Sequence, residues 1–242
     1  MFYKDIKEWP KEEREVVRSI EGTPKKIKIF NYKLDDNFNI YISENSQIHD
    51  FANIGNRCII EGNLGECTVD DDSYIGAAVT LNDGIYIGRG CNIAGQVFSD
   101  IQEKTVVKES GYIGYNCVIG KSVSVAFKTI IEDGCTIGDY VRFGVGSVAH
   151  EGVSIGKNCK IGMSSEIFKN VGNENNIQSY VKINAEIGED NFIENNCIVN
   201  CKIGNGNKIS SNCIIDASIG DNNYIHMGKK IETSVYDYED IE

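Results

Sequence analysis

An all-β solenoid, a parallel β-helix wound from hexapeptide repeats, is the fold class this sequence predicts, and two patterns predict it. From Ile113 an aliphatic residue or Phe returns every six positions, at Ile119, Val125, Ile131, Ile137, Phe143, Ile155, Ile161 and Ile167, with Ala149 the weak member. The residue four places after each is small or thiol-bearing, as at Cys117, Val123, Thr129, Cys135, Ser147 and Cys159. Beyond Ile167 the beat becomes a 16-residue unit in four copies, residues 166–181, 182–197, 198–213 and 214–229. Repeats of this kind are supersecondary units that bury an apolar face only by stacking on their neighbours.

Each six-residue step reads as one short strand and a turn, and three steps close one triangular coil. Like then stacks on like: Ile113 over Ile131 and Ala149, Ile119 over Ile137 and Ile155, Val125 over Phe143 and Ile161. In the 16-residue units, Gly172, Gly188, Gly204 and Gly220 share one column, and Asn175, Asn191, Asn207 and Asn223 share another. Gly and Asn tolerate a positive φ, so both columns are expected at corners.

In chain order, residues 1–39 are expected to form a helix-strand cap. A helix is strongest after Pro10, where Val16, Val17 and Ile20 could make one face, and KKIKIFNY alternates as a strand from Lys25 to Tyr32. Such a cap covers the edge of the first coil; the alternative is an appendage that binds an acceptor. The β-helix is expected over 40–229, opening with Ile42, Ile48, Ile54 and Ile60. The beat breaks between Ile60 and Val69 and between Ile93 and Val107, and both breaks are expected to be expelled as loops. Residues 230–242, ending VYDYEDIE, are expected to form a loose acidic tail.

The runs YIGYNCVIGKSV, IIEDGCTIGDYVRFG and VSIGKNCKIG resemble the left-handed β-helix of the hexapeptide-repeat acyltransferases, over roughly residues 40–229. Left-handedness is implied by that resemblance alone, since parallel β connections are right-handed in nearly all other folds. The repeat specifies the scaffold; the reaction has to be argued from a site.

Composition narrows the field. The 242 residues carry 36 acidic and 24 basic side chains, a net charge of -12, which argues against nucleic acid or an anionic membrane as partner. No apolar run approaches the length of a membrane span, and Met1 to Pro10 is too charged for a signal sequence, so a cytoplasmic location is expected. Most of the nine cysteines fall on small inward positions, with no Cys-x-x-Cys pair, as packing residues in a reducing compartment would. No metal site is expected: His49, His150 and His226 are too far apart in the chain for the three-histidine zinc site that the same scaffold carries elsewhere.

His150 is the candidate base. Its segment SVAHEGVSIGKNC resembles the catalytic segment of the lipid A and bacillosamine-type N-acyltransferases, where a histidine followed by an acidic residue precedes the next Ile-Gly. Transfer from a thioester requires the attacking amine or hydroxyl to lose a proton, and a neutral imidazole takes it. The resemblance makes His150 the base and Glu151 its orienting acid. Four residues separate His150 from Ile155 where the family has three, and the other reading of His150 is a turn histidine without chemistry. The resemblance further implies acyl-coenzyme A, foremost acetyl-coenzyme A, as cosubstrate, with Lys157, Lys160 and Lys169 as phosphate-binding or simply solvated lysines. A backbone N–H at Gly144, Gly146 or Gly162 is the expected oxyanion donor. The functional expectation is a homotrimeric acyltransferase acting on an amino or hydroxyl group of a sugar or nucleotide-sugar. With only Pro10 and Pro24, the chain lacks the Pro-rich end that shapes the coenzyme A site in many members, which keeps a non-catalytic scaffold or assembly subunit as the alternative.

Overall fold

The computed structural model describes residues 2–20, 23–34 and 38–242, which divide into two compact units, 1–110 and 111–242. Both are built on a left-handed parallel β-helix, mostly of two-residue strands with one strand per side of each coil, and the first unit adds longer antiparallel strands at its start.

The first unit does not begin with the expected helical cap. Among the described residues helix is confined to Tyr3–Ile6, and the segment after Pro10 is a strand, Lys11–Ile20, paired antiparallel with Thr23–Lys33. Antiparallel pairing along the whole segment replaces the helix, and on its exposed face Lys28 meets Glu13 at 2.8 Å and Lys26 meets Glu15 at 3.1 Å. Such pairing requires alternation along both strands, which overrides the weak helical period of the sequence. Thr23–Lys33 in turn pairs antiparallel with Asn39–Ser43, so a hairpin covers the edge that a helix was expected to cover.

From Asn39–Ser43 the chain rises in parallel register, Ile42 beside Ile60, Ile60 beside Ile75, and Ile75 beside Ile93. The two expected loops are absent. Leu64, Val97 and Ile101 point inward and are at most 3% exposed, and Cys67 is buried too. The coils instead shorten, from 18 residues between Ile42 and Ile60 to 15 between Ile60 and Ile75 and 14 between Ile93 and Val107. A strict six-residue reading missed this because inward residues four apart, Ile93, Val97 and Ile101, also close a side.

In the second unit the stacked columns are those the sequence predicts. Ile131 lies between Ile113 and Ala149, Ile137 between Ile119 and Ile155, and Phe143 between Val125 and Ile161, all in parallel register. After Ile155 one side shortens to single-residue bridges through Val171, Ile187, Ile203 and Ile219, which makes the 16-residue coil. That bridge continues to Val235, and Asp240–Ile241 pairs with Tyr224–Ile225, so residues 230–241 form a further coil in place of a loose tail.

Neither the glycine nor the asparagine column supplies the positive φ. That backbone conformation falls one residue before each asparagine, at Glu174, Asp190, Gly206 and Asn222, and again at Tyr238. Gly172 is small because the coils touch there: a Cβ would lie 2.6 Å from the carbonyl oxygen of Gly188. Asn175, Asn191, Asn207 and Asn223 point inward, 1–2% exposed, and form a ladder. The Asn191 main-chain N–H and its Nδ2 both donate to Asn175 Oδ1, at 2.9 and 3.0 Å, while Nδ2 also donates to the carbonyls of Glu189 and Gly204. Full satisfaction is what lets an amide sit in a dry column.

The cysteines do related work. The Sγ of Cys117, Cys135 and Cys159 donate to carbonyls on the following coil, of Glu132, His150 and Gly172, at 3.0–3.1 Å. Burial pushes the Cys58 thiol up to about 12, and those of Cys91 and Cys197 to about 11, from an ordinary 9.0.

Two outcomes follow from these columns. Asn191→Asp exchanges two N–H donors for a carboxylate facing the carbonyls of Glu189 and Gly204, and should destabilise the fold by several kcal/mol, on the order of 3. Thermal denaturation reads it directly, and an unchanged midpoint would place Asn191 outside the column. Because the folded thiols titrate above their unfolded value of 9.0, their contribution is complete below that pH and is lost as pH rises toward 11. The melting temperature should therefore fall between pH 9 and 11, and at about pH 8 iodoacetamide should label half-buried Cys201 before the eight buried cysteines.

Candidate functional site

His150 ends the strand Val148–Ala149, on a side of the second unit whose columns run in 18-residue steps. Ala149 points into the core, so His150 points out. Main-chain bonds from Glu132 to Ala149, His150 to Ile167 and Phe168 to Ile183, all 2.9 Å, fix Glu132, His150 and Phe168 as one outward column on successive coils. The spacing between His150 and Ile155 does not disturb this, because the hexad from Ala149 to Ile155 is regular and Val153 fills the small inward position.

The imidazole is held on two sides. Its Nδ1 lies 3.3 Å from Glu132 Oε2, and the same oxygen accepts the main-chain N–H of Glu151 at 2.9 Å. Its ring stacks on Phe168, centroids 3.8 Å apart and planes 16° apart. Its Nε2 is buried and has no hydrogen-bond partner among the described residues, with Glu166 Oε2 4.0 Å away. Glu166 in turn faces Lys182 at 3.9 Å, and the Lys182 ammonium lies 4.9 Å from the centroid of the Phe168 ring.

Two of the expected assignments change. The carboxylate beside the His150 ring is that of Glu132, one coil below, whereas the Glu151 side chain is exposed and its backbone N–H donates to Glu132 Oε2. The glycine N–H groups are not free for an oxyanion, because Gly144, Gly146 and Gly162 donate theirs to the carbonyls of Ile161, Phe127 and Ile177. Gly162 is glycine for closeness, since a Cβ there would collide with the Gln178 carbonyl carbon.

The candidate lysines are exposed and spread out. Lys157 sits in a turn, with its N–H on Asn173 Oδ1. Lys160 lies on another side, in register with Arg142 and Asn176, and Lys169 follows Phe168 on the coil beside the site. The lysine brought to the cluster around His150 is Lys182. Glu132, Glu166, Phe168 and Lys182 were all missed by the sequence reading, although coil spacing held the signal: 132, 150 and 168 differ by one 18-residue coil, and 166 and 182 by one 16-residue coil. His226 belongs elsewhere. It meets Asp240 at 2.8 Å, and the ligand atoms of His226, Asp240 and Glu242 lie within 4.8 Å of one another on an exposed surface of a different side.

No protein-family model matches this chain, and no curated protein does. Solved structures that it resembles include a UDP-N-acetylglucosamine acyltransferase from Campylobacter jejuni, at 14% identity and a TM-score of 0.40, covering 53% of this chain and 68% of that one. The acetyltransferase domain of PglB from Neisseria gonorrhoeae FA1090, solved with acetyl coenzyme A, aligns at 14% identity and a TM-score of 0.26 over 59% of this chain and 53% of that one. A point mutant of perosamine N-acetyltransferase from Caulobacter crescentus, solved with CoA and GDP-perosamine, aligns at 12% identity and a TM-score of 0.23, over 70% of this chain and 51% of that one. The alignment thus spans about half the length of each of the last two. Likeness this distant carries no argument about activity; on its own coils and columns, the chain is a hexapeptide-repeat left-handed parallel β-helix.

Proposed function

We propose that this chain is an acyltransferase that moves an acetyl or other short acyl group from coenzyme A to an amino or hydroxyl group of a sugar or nucleotide-sugar. The observation that carries this reading is the Glu132–His150 pair, with Nε2 left without a partner among the described residues. With the ring proton on Nδ1, that nitrogen donates to Glu132 and Nε2 keeps its lone pair. Nε2 then takes the proton of the attacking group as it adds to the thioester carbonyl; the tetrahedral intermediate collapses, the C–S bond breaks, and the proton passes to the departing thiolate. Glu132 holds the ring and favours the imidazolium that forms. Exposed Lys157, Lys160 and Lys169 are the candidates for the phosphates of coenzyme A, Lys169 being nearest the site along the chain. The assembly is a homotrimer, in which a neighbouring β-helix completes the groove for the acyl donor. Among the described residues no helix is long and apolar enough to cross a membrane.

A second reading has one observation in its favour. The buried Nε2 is closed off in the isolated chain, as it would be if the imidazole served only to tie Glu132 to Glu166 in a non-catalytic scaffold.

Thiol release from acetyl-coenzyme A with a panel of sugars separates the two. His150→Ala should lower turnover by roughly 10²- to 10⁴-fold. Glu132→Gln should cost roughly tenfold or more, whereas Glu151→Gln should cost little. Equal losses at Glu132 and Glu151 would return the orienting role to the sequence neighbour, and turnover that survives His150→Ala would remove His150 from the mechanism. Sedimentation of the pure protein should give a mass near three chains of 26.8 kDa. A monomer at micromolar concentration would favour the scaffold.

A further inference from the structure

The cluster around His150 contains a second group that faces the place where an acceptor must sit. Glu166 is half exposed on the strand Glu166–Ile167, and its Oε2 lies 4.0 Å from His150 Nε2. The two atoms are both hydrogen-bond acceptors once Nδ1 carries the ring proton, and neither bonds to the other. A single donor atom can bridge them: bonds of about 2.9 Å to each would meet at that atom at roughly a right angle.

We infer that Glu166 selects the acceptor, and that the acceptor is a primary amine in preference to a hydroxyl. The inference rests on the acyl-transfer reading above. A neutral amine brings two N–H groups, one for Glu166 and one for Nε2. As the nitrogen attacks the thioester carbonyl, the N–C bond forms, Nε2 takes one proton, and the C–S bond breaks as the intermediate collapses, the proton passing to the thiolate. The amide product keeps its remaining N–H on Glu166. A hydroxyl has one hydrogen. If that hydrogen is given to Nε2, the oxygen lone pairs face a carboxylate oxygen at hydrogen-bond range, which is repulsive. A site that matches hydrogen-bond donors in this way rejects the analogue lacking one far more strongly than an apolar pocket does.

The chain itself supplies a second observation. Lys182 places a primary ammonium 3.9 Å from Glu166 Oε2 and 4.9 Å over the Phe168 ring. A carboxylate beside an aromatic face suits an alkylammonium through charge and through the ring quadrupole together. Lys182 thus shows that Glu166 Oε2 lies within reach of an amino group.

The test compares glucosamine and galactosamine, free and UDP-linked, with glucose and galactose in the same forms, at saturating acetyl-coenzyme A. The parent protein should acylate amino sugars with kcat/KM about tenfold or more above their hydroxyl counterparts. Glu166→Gln puts an amide N–H where the carboxylate was, so it should lower kcat/KM for the amino sugar about tenfold or more while leaving that of the hydroxyl sugar equal or higher. Lys182→Met removes the ion pair but keeps the carboxylate, and should preserve the preference; a loss equal to that of Glu166→Gln would mean that the ion pair matters structurally and would overturn the inference. His150-dependent turnover with the amine-to-hydroxyl ratio unchanged in Glu166→Gln would overturn it alone. Absence of His150-dependent turnover with every sugar would overturn the acyl-transfer reading and this one together.

Discussion

Every feature of this protein depends on one constraint: each coil hydrogen-bonds in register to the next, so a residue has the same neighbour above and below it for as long as the coil length holds. Bonds such as Glu132 to Ala149, His150 to Ile167 and Phe168 to Ile183 are the units of that constraint. They leave no choice about which side chains stack. Each core position must then be apolar, or polar and satisfied by its own or a neighbouring coil, because an unpaired group would be buried with no water to reach it. The second unit contains both solutions. Isoleucines fill most columns, and asparagines fill one in which each amide receives from and donates to its neighbours.

The same constraint assembles the candidate site. Glu132, His150 and Phe168 share an outward column without any loop to gather them, and Glu166 and Lys182 share the column beside it. Chemical groups far apart in sequence are thereby brought within contact distance on short paired strands, which favours fixed geometry over adaptability. The ring is stacked against Phe168, and its Nε2 faces the half-exposed Glu166 side chain at 4.0 Å.

The link between core and site is short. Cys135 packs inward and its Sγ donates to the carbonyl of His150, while the adjoining Ala149 is wholly buried. The backbone of His150 is therefore held from inside the solenoid, and its ring from outside by Glu132 and Phe168.

The solenoid, its columns and the 16-residue coils were legible in the amino-acid order alone, because apolar period and coil geometry are the same quantity when each side is one strand. His150 stood out at that level too. Three matters were left to the assembled coils. Whether residues 11–20 become helix or strand depends on their antiparallel pairing with Thr23–Lys33, and a partner strand is not visible in a local period. Whether an asparagine column lies at a corner or in the core depends on which residue takes the positive φ, and that fell to Glu174, Asp190 and their equivalents one position earlier. Whether His150 pairs with Glu151 or Glu132 depends on direction: neighbours along a strand point to opposite faces or turn away at a corner, whereas residues one coil apart point the same way. Adjacency in the chain suggested Glu151; adjacency between coils placed the carboxylate of Glu132 on the ring.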